Sequence, residues 1–152
     1  MAKIEWTSDL DTGIQVIDNQ HRRIVDYINN LYHAIEHHSN AEVEEVIDEL
    51  VDYTLSHFTF EENLMEEAGY PFVNAHKKVH ELFVKRVGSF QQRFKVGEDV
   101  GEELLHMLKA WLINHIRNDD ADYSEIVRQN IEHVDSKDGG GWLGRKIKNI
   151  FG

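Results

Sequence analysis

A chain of 152 residues is long enough for one domain with a sizeable core, and its 41% hydrophobic and 29% charged residues are ordinary for a globular protein. Twenty-eight acidic against 16 basic residues give a formal net charge of −12, which argues against binding nucleic acid phosphates. The absence of cysteine excludes disulfides, thiolate zinc sites and iron–sulfur clusters, and the charged opening MAKIEWTSDLD offers no apolar signal-peptide core. With no apolar run near the roughly 20 residues of a membrane span, a cytoplasmic protein is expected.

Residues 1–17 show no clean period and read as an N-terminal arm. From Asp18, a plausible N-cap, the period becomes helical, with His21, Val25, Ile28, Tyr32 and Ile35 along one stripe. Ser39 and Glu42 form a capping box that opens a second stripe of Val43, Ile47, Leu50, Thr54, His57, Glu61 and Leu64. Gly69 and Pro71 end that helix and start another, whose stripe is Val73, His76, His80, Phe83, Val87, Phe90 and Phe94. After Gly97, Asp99 and Glu102 suggest a second capping box, and Leu104, Leu108, Trp111 and His115 make the fourth stripe. Four amphipathic helices with short links predict an all-α, antiparallel up-down-up-down four-helix bundle over 18–134.

Each of these apolar stripes carries histidine. In an antiparallel bundle the starts of helices one and three lie level with the ends of two and four. His21, His57, Glu61, His76, His80 and His115 are therefore expected to converge at one end of the core. Residues at i and i+4 differ by about 40° around a helix, so His57–Glu61 and His76–His80 can each face one point. Buried imidazoles and a carboxylate are costly unless something pairs with them, and this donor set suits zinc, copper, iron or nickel better than magnesium or calcium. So many inner ligands exceed one tetrahedral zinc site, which favours two ions bridged by Glu61. His33, His37, His38, His106 and His133 lack such spacing and are expected at the surface.

The set His21, H57-FTF-E61, H76-KKV-H80 and H115-IRND-D120, with D18-N-Q-H21, G69-Y70 and W111-L-I-N-H115 around it, resembles the hemerythrins, the single-domain bacterial members above all. The resemblance spans residues 1 to about 130. It implies a non-heme di-iron centre: two iron ions, with His76, His80 and His115 on one and His21 and His57 on the other. Glu61, Asp120 and a solvent-derived oxo or hydroxo group would bridge them. The implied partner is dioxygen, bound reversibly by a monomer that carries, stores or delivers it rather than by an enzyme. A sensor using the same site, a peroxide- or nitric-oxide-handling enzyme and an iron-sequestering protein are the alternatives. Asp120 raises a question of geometry. Five residues beyond His115 is about 140° around an ideal helix, whereas Asp119 at i+4 faces the site better. Asp120 can serve only if the helix loosens, bulges or ends there. Ile17, Ile24, Phe58, Trp111, Leu112 and Ile116 are expected to form an apolar oxygen pocket that slows autoxidation.

Residues 135–141, rich in glycine, read as a linker to a basic amphipathic tail, 142–152. There Leu143, Ile147, Ile150 and Phe151 oppose Arg145, Lys146 and Lys148. Such a segment suits a membrane surface, an acidic partner groove or the chain's own acidic body, and the resemblance does not explain it.

Overall fold

The computed structural model describes residues 4–137 and 141–151; for 119 and 135–137 it describes the backbone alone. Among the described residues there are helices and no strand. A 3-10 turn (Ser8–Leu10) precedes α1 (Gln15–Glu36), α2 (Asn40–Glu67), α3 (Val73–Lys95) and α4 (Gly101–Asn114). A π-helical segment (His115–Asp120) then joins α4 to α5 (Ala121–Lys137), and α6 (Trp142–Phe151) ends the described chain. Helix α1 packs on α2 and α4, and α2 packs on α3, which is consistent with a four-helix bundle.

The core follows the stripes. Ile24, Val25, Ile28, Leu31, Val43, Ile47, Leu50, Phe58, Phe83, Val87, Leu104, Leu108 and Leu112 are buried together. Burying a Leu, Ile or Phe is worth roughly 1.5–3 kcal/mol each, so this cluster is the main drive to fold. The boundaries show which local signals operate. Ser39 is the N-cap of α2 and its side chain accepts from the Glu42 amide at 3.3 Å. Gly69 and Gly97 take φ of +71° and +95° after α2 and α3, the left-handed region that glycine enters at least cost.

Two expected caps are corrected. Helix α1 starts before Asp18, whose carboxylate is buried and accepts from the Thr12 amide at 2.8 Å, the Thr12 hydroxyl at 2.7 Å and the Gly13 amide at 3.3 Å. Asp18 thus ties the arm to α1 rather than opening the helix. Helix α4 has Val100 at its N-cap with no side-chain bond, because Val100 is buried and hydrophobic anchoring replaces the Asp99 cap. The arm is docked too: Ile4, Leu10 and Ile14 are buried, and Asn29 exchanges two hydrogen bonds with the Ile4 backbone.

Helix α5 extends to Lys137, so the expected linker is helical over its first three residues; 138–140, like the first three residues of the expected arm and Gly152, lie outside the described residues. Helix α6 lies on α2 and α5. Its Trp142, Leu143, Ile147, Ile150 and Phe151 pack over a second cluster of Ile14, Ile17, Phe60, Leu64, Met65, Tyr123 and Val127. Phe151 meets Phe60 and Tyr53, and Lys146 pairs with Glu67 at 2.7 Å. Of the surfaces expected for the tail, the acidic body is the one it covers here.

Candidate metal centre

His21, His57, Glu61, His76, His80, His115 and Asp120 are all at most 4% exposed. The helices explain the convergence. His21 and His76 stand near the starts of α1 and α3; His57 and Glu61 lie late in α2, and His115 follows α4. Helical spacing puts His57 with Glu61, and His76 with His80, on the inner stripes of α2 and α3.

Asp120 joins them through the π-helical segment. In α geometry it would be turned away from His115. The wider i→i+5 turn brings residue 120 back over residue 115, so both face inward. The Asp120 carboxylate lies 3.1 Å from His115 Nε2. Ser124 Oγ donates to the Asp120 carbonyl at 2.6 Å and ties the start of α5 to the widened turn. The Asp119 side chain, the other acid weighed from spacing, lies outside the described residues.

Both carboxylates face two sets of imidazoles. Glu61 Oε1 is 2.8 Å from His76 Nε2, 3.2 Å from His80 Nε2 and 3.8 Å from His115 Nε2. Its other oxygen, Oε2, is 3.0 Å from His57 Nε2 and 3.7 Å from His21 Nε2. Asp120 divides in the same way, with Oδ1 3.1 Å from His76 Nε2 and Oδ2 3.0 Å from His21 Nε2. Glu61, His76, His80, His115 and Asp120 can present one ligand atom each within 4.8 Å of one another, as can His21, His57 and Glu61.

His76 Nε2 and Glu61 Oε1 share a hydrogen bond, but most of the other atoms are close without being aligned for one. His21 Nε2, His57 Nε2, Glu61 Oε2 and both Asp120 oxygens are buried without a hydrogen-bond partner. Buried polar atoms are nearly always satisfied, and an orphaned buried donor or acceptor costs about 1–3 kcal/mol. Several orphans aimed at one shared space, from nitrogen and carboxylate donors, fit metal ions that would satisfy them together.

The electrostatics of the cluster agree. Burial opposes charge on His21 and His76, yet the Asp120 and Glu61 carboxylates outweigh it and raise both to about 9. Burial keeps His57 below its ordinary value despite Glu61. Burial also resists ionisation of Glu61 and Asp120, but the surrounding imidazoles hold both well below the usual carboxylate range. Two imidazolium charges would thus match the two carboxylates, in space that two cations would suit.

A second layer was not singled out from the sequence. His57 Nδ1–H donates to buried Gln20 Oε1 at 2.6 Å, and His80 Nδ1–H donates to Glu62 Oε2 at 3.3 Å. Each bond fixes the proton on Nδ1 and leaves Nε2 to face the centre. Gln20 adjoins His21 and Glu62 adjoins Glu61, yet adjacency carries no signal of this pairing; the contacts join α1 to α2 and α2 to α3. Tyr123 is fully buried against His76, with ring centroids 5.4 Å apart. Burial, then the Glu61 and Asp120 charges, push its phenol well above its ordinary value.

Of the expected pocket residues, Ile24, Phe58, Leu112 and Ile116 are buried in the main core, with Trp111 packed against it. Phe58 stacks on His80 at 3.8 Å and 6°, and Trp111 stacks on His115 at 4.4 Å and 17°. Ile17 lies apart from them, in the second cluster beside Phe60 and Tyr123. His37, His38, His106 and His133 are exposed and His33 is half-buried.

Residues 12–127 match the family model of the Hemerythrin HHE cation binding domain. The chain is 59% identical to the bacteriohemerythrin of Pseudomonas aeruginosa and 54% identical to that of Stenotrophomonas maltophilia, in each case over the full length of both chains. It is 33% identical to the bacteriohemerythrin of Methylococcus capsulatus, over 84% of this chain and 98% of that one. Among solved structures, a wild-type hemerythrin superposes with a TM-score of 0.79 at 30% identity, covering 83% of this chain and 98% of its own.

Proposed function

The chain belongs to the hemerythrin family, and from that premise we propose that it binds dioxygen reversibly at a pair of iron ions, as a carrier or store. The observation that carries this reading is the set of buried, unpartnered nitrogen and oxygen atoms of His21, His57, Glu61 and Asp120, grouped with the His76, His80 and His115 imidazoles around one space. His76, His80 and His115 would hold one ion, and His21 and His57 the other. Glu61 and Asp120, each with one oxygen toward either group, would span the two. Two ferrous ions there would supply the two electrons that reversible capture of oxygen uses.

The protein's own part is to position and to exclude. Gln20 and Glu62 orient His57 and His80. The side that would carry two histidines has fewer protein ligands, which leaves it room for a small guest. Ile24, Phe58, Leu112 and Ile116 keep the surroundings apolar and disfavour water, and Trp111 stands between His115 and the surface. Such surroundings suit binding without turnover. Anaerobic, iron-loaded, reduced protein should gain a visible charge-transfer band when oxygen is added and lose it when oxygen is stripped. Irreversible oxidation in the first cycle would reject the carrier reading.

A further inference from the structure

With every candidate ligand at most 4% exposed, an external reductant cannot touch the centre. An iron pair that loses its electrons to oxygen would therefore have to be restored by electrons crossing the protein. One short crossing stands out. Trp111 stacks on His115 with ring centroids 4.4 Å apart, and Phe83 stacks on Trp111 at 3.9 Å and 26°. Trp111 and Phe83 also line a surface groove of about 520 Å³. A single indole thus separates the groove from a residue of the centre.

The rim of that groove has a partner's chemistry written on it. Leu82 is 54% exposed at its apolar lining. Lys85 and Arg86 border it, both exposed, and neither forms an ion pair among the described residues. On a chain of net charge −12, two adjacent unpaired cations around an exposed leucine complement an acidic surface with an apolar centre. We propose that the groove formed by Val79, Leu82, Phe83, Lys85, Arg86 and Trp111 docks an acidic one-electron carrier protein, and that Trp111 relays its electrons to the centre through His115. The proposal rests on the di-iron reading above. Each encounter oxidises the carrier by one electron and reduces one ferric ion to ferrous. Two encounters would return the two electrons the pair had lost, and two protons taken from solvent would offset their charge.

Reduced plant-type ferredoxin, an acidic iron–sulfur carrier, is the probe. Mixed anaerobically with the oxidised, iron-loaded chain, it should reduce the centre at a rate that falls as salt rises. The double variant Lys85→Glu, Arg86→Glu should cut that rate about tenfold or more at low salt, within the range that electrostatic steering commands. Reduction by a small uncharged reductant should change little, since it neither docks through the reversed charges nor is steered by them. Trp111→Leu should slow the electron step at saturating ferredoxin while leaving the salt dependence intact. In parallel, ferredoxin titrated into the redox-silent, zinc-loaded chain should broaden the amide signals around residues 79–89 and 111. An unchanged rate in the charge-reversal variant, or broadening centred on another face, would overturn the proposal. If the iron-loaded chain fails to bind oxygen reversibly, the carrier reading falls by itself; the broadening map still decides the docking face.

Discussion

At the scale of single residues, the chemistry of the candidate centre follows from groups that cannot be buried comfortably one at a time. His21 and His76 take up protons in the metal-free protein because Asp120 and Glu61 outweigh the penalty of burial. That has a consequence with a definite sign. Both folded-state values rise from 6.5 to about 9, so their contribution to stability is complete below pH 6.5 and is lost as pH climbs through 9. The metal-free chain should therefore unfold at lower urea concentration at pH 9.5 than at pH 7. Metal-loaded protein has no imidazolium to lose, and its midpoint should move less across that interval. Equal shifts with and without metal would mean that these two histidines are not the protonated pair. The histidines and Glu61 were visible from spacing; Asp120 was not, and came only with the resemblance. Gln20 and Glu62 were not, since a contact between helices leaves no periodic trace in either one.

At the scale of elements, the π-helical segment brings Asp120 back to the side of His115. Spacing by itself favours Asp119 and resemblance favours Asp120, and the widened turn over His115–Asp120 leaves the Asp120 carboxylate buried 3.1 Å from His115 Nε2. Asp120→Ala should reduce metal uptake from two ions per chain to about one, read by elemental analysis after gel filtration. Asp119→Ala should keep both. A reversed result would show that the turn does not hold Asp120 inward in the loaded protein. A π turn is legible only weakly in sequence, because its cost is repaid by contacts that local propensity does not contain. The same limit explains the caps. Ser39 makes its half of the capping box, a local device, while the Glu42 carboxylate turns to His37; Asp18 is diverted to the arm and Val100 anchors α4 by burial.

At the scale of the whole molecule, α6 closes over the second cluster, beyond the matched family domain that ends at residue 127. Its apolar side chains are half-buried against α2 and α5, and Lys146 adds an ion pair with Glu67. Truncation after residue 137 should lower the Tm by a few degrees, about 1–2 kcal/mol, and expose Phe60 and Met65 to solvent. A Tm unaffected by truncation would mean that the tail spends its time elsewhere. The sequence by itself determined the helical class, the ligand-type residues and the end of the core where they gather, because helical periodicity and chain order fix which faces meet. The tertiary structure decided the inward turn of Asp120, the Gln20 and Glu62 supports, the placing of Ile17 in a different cluster from the other residues expected to line a pocket, and the docking of the tail. Each of these depends on how one helix sits against another, a relation that no single segment encodes.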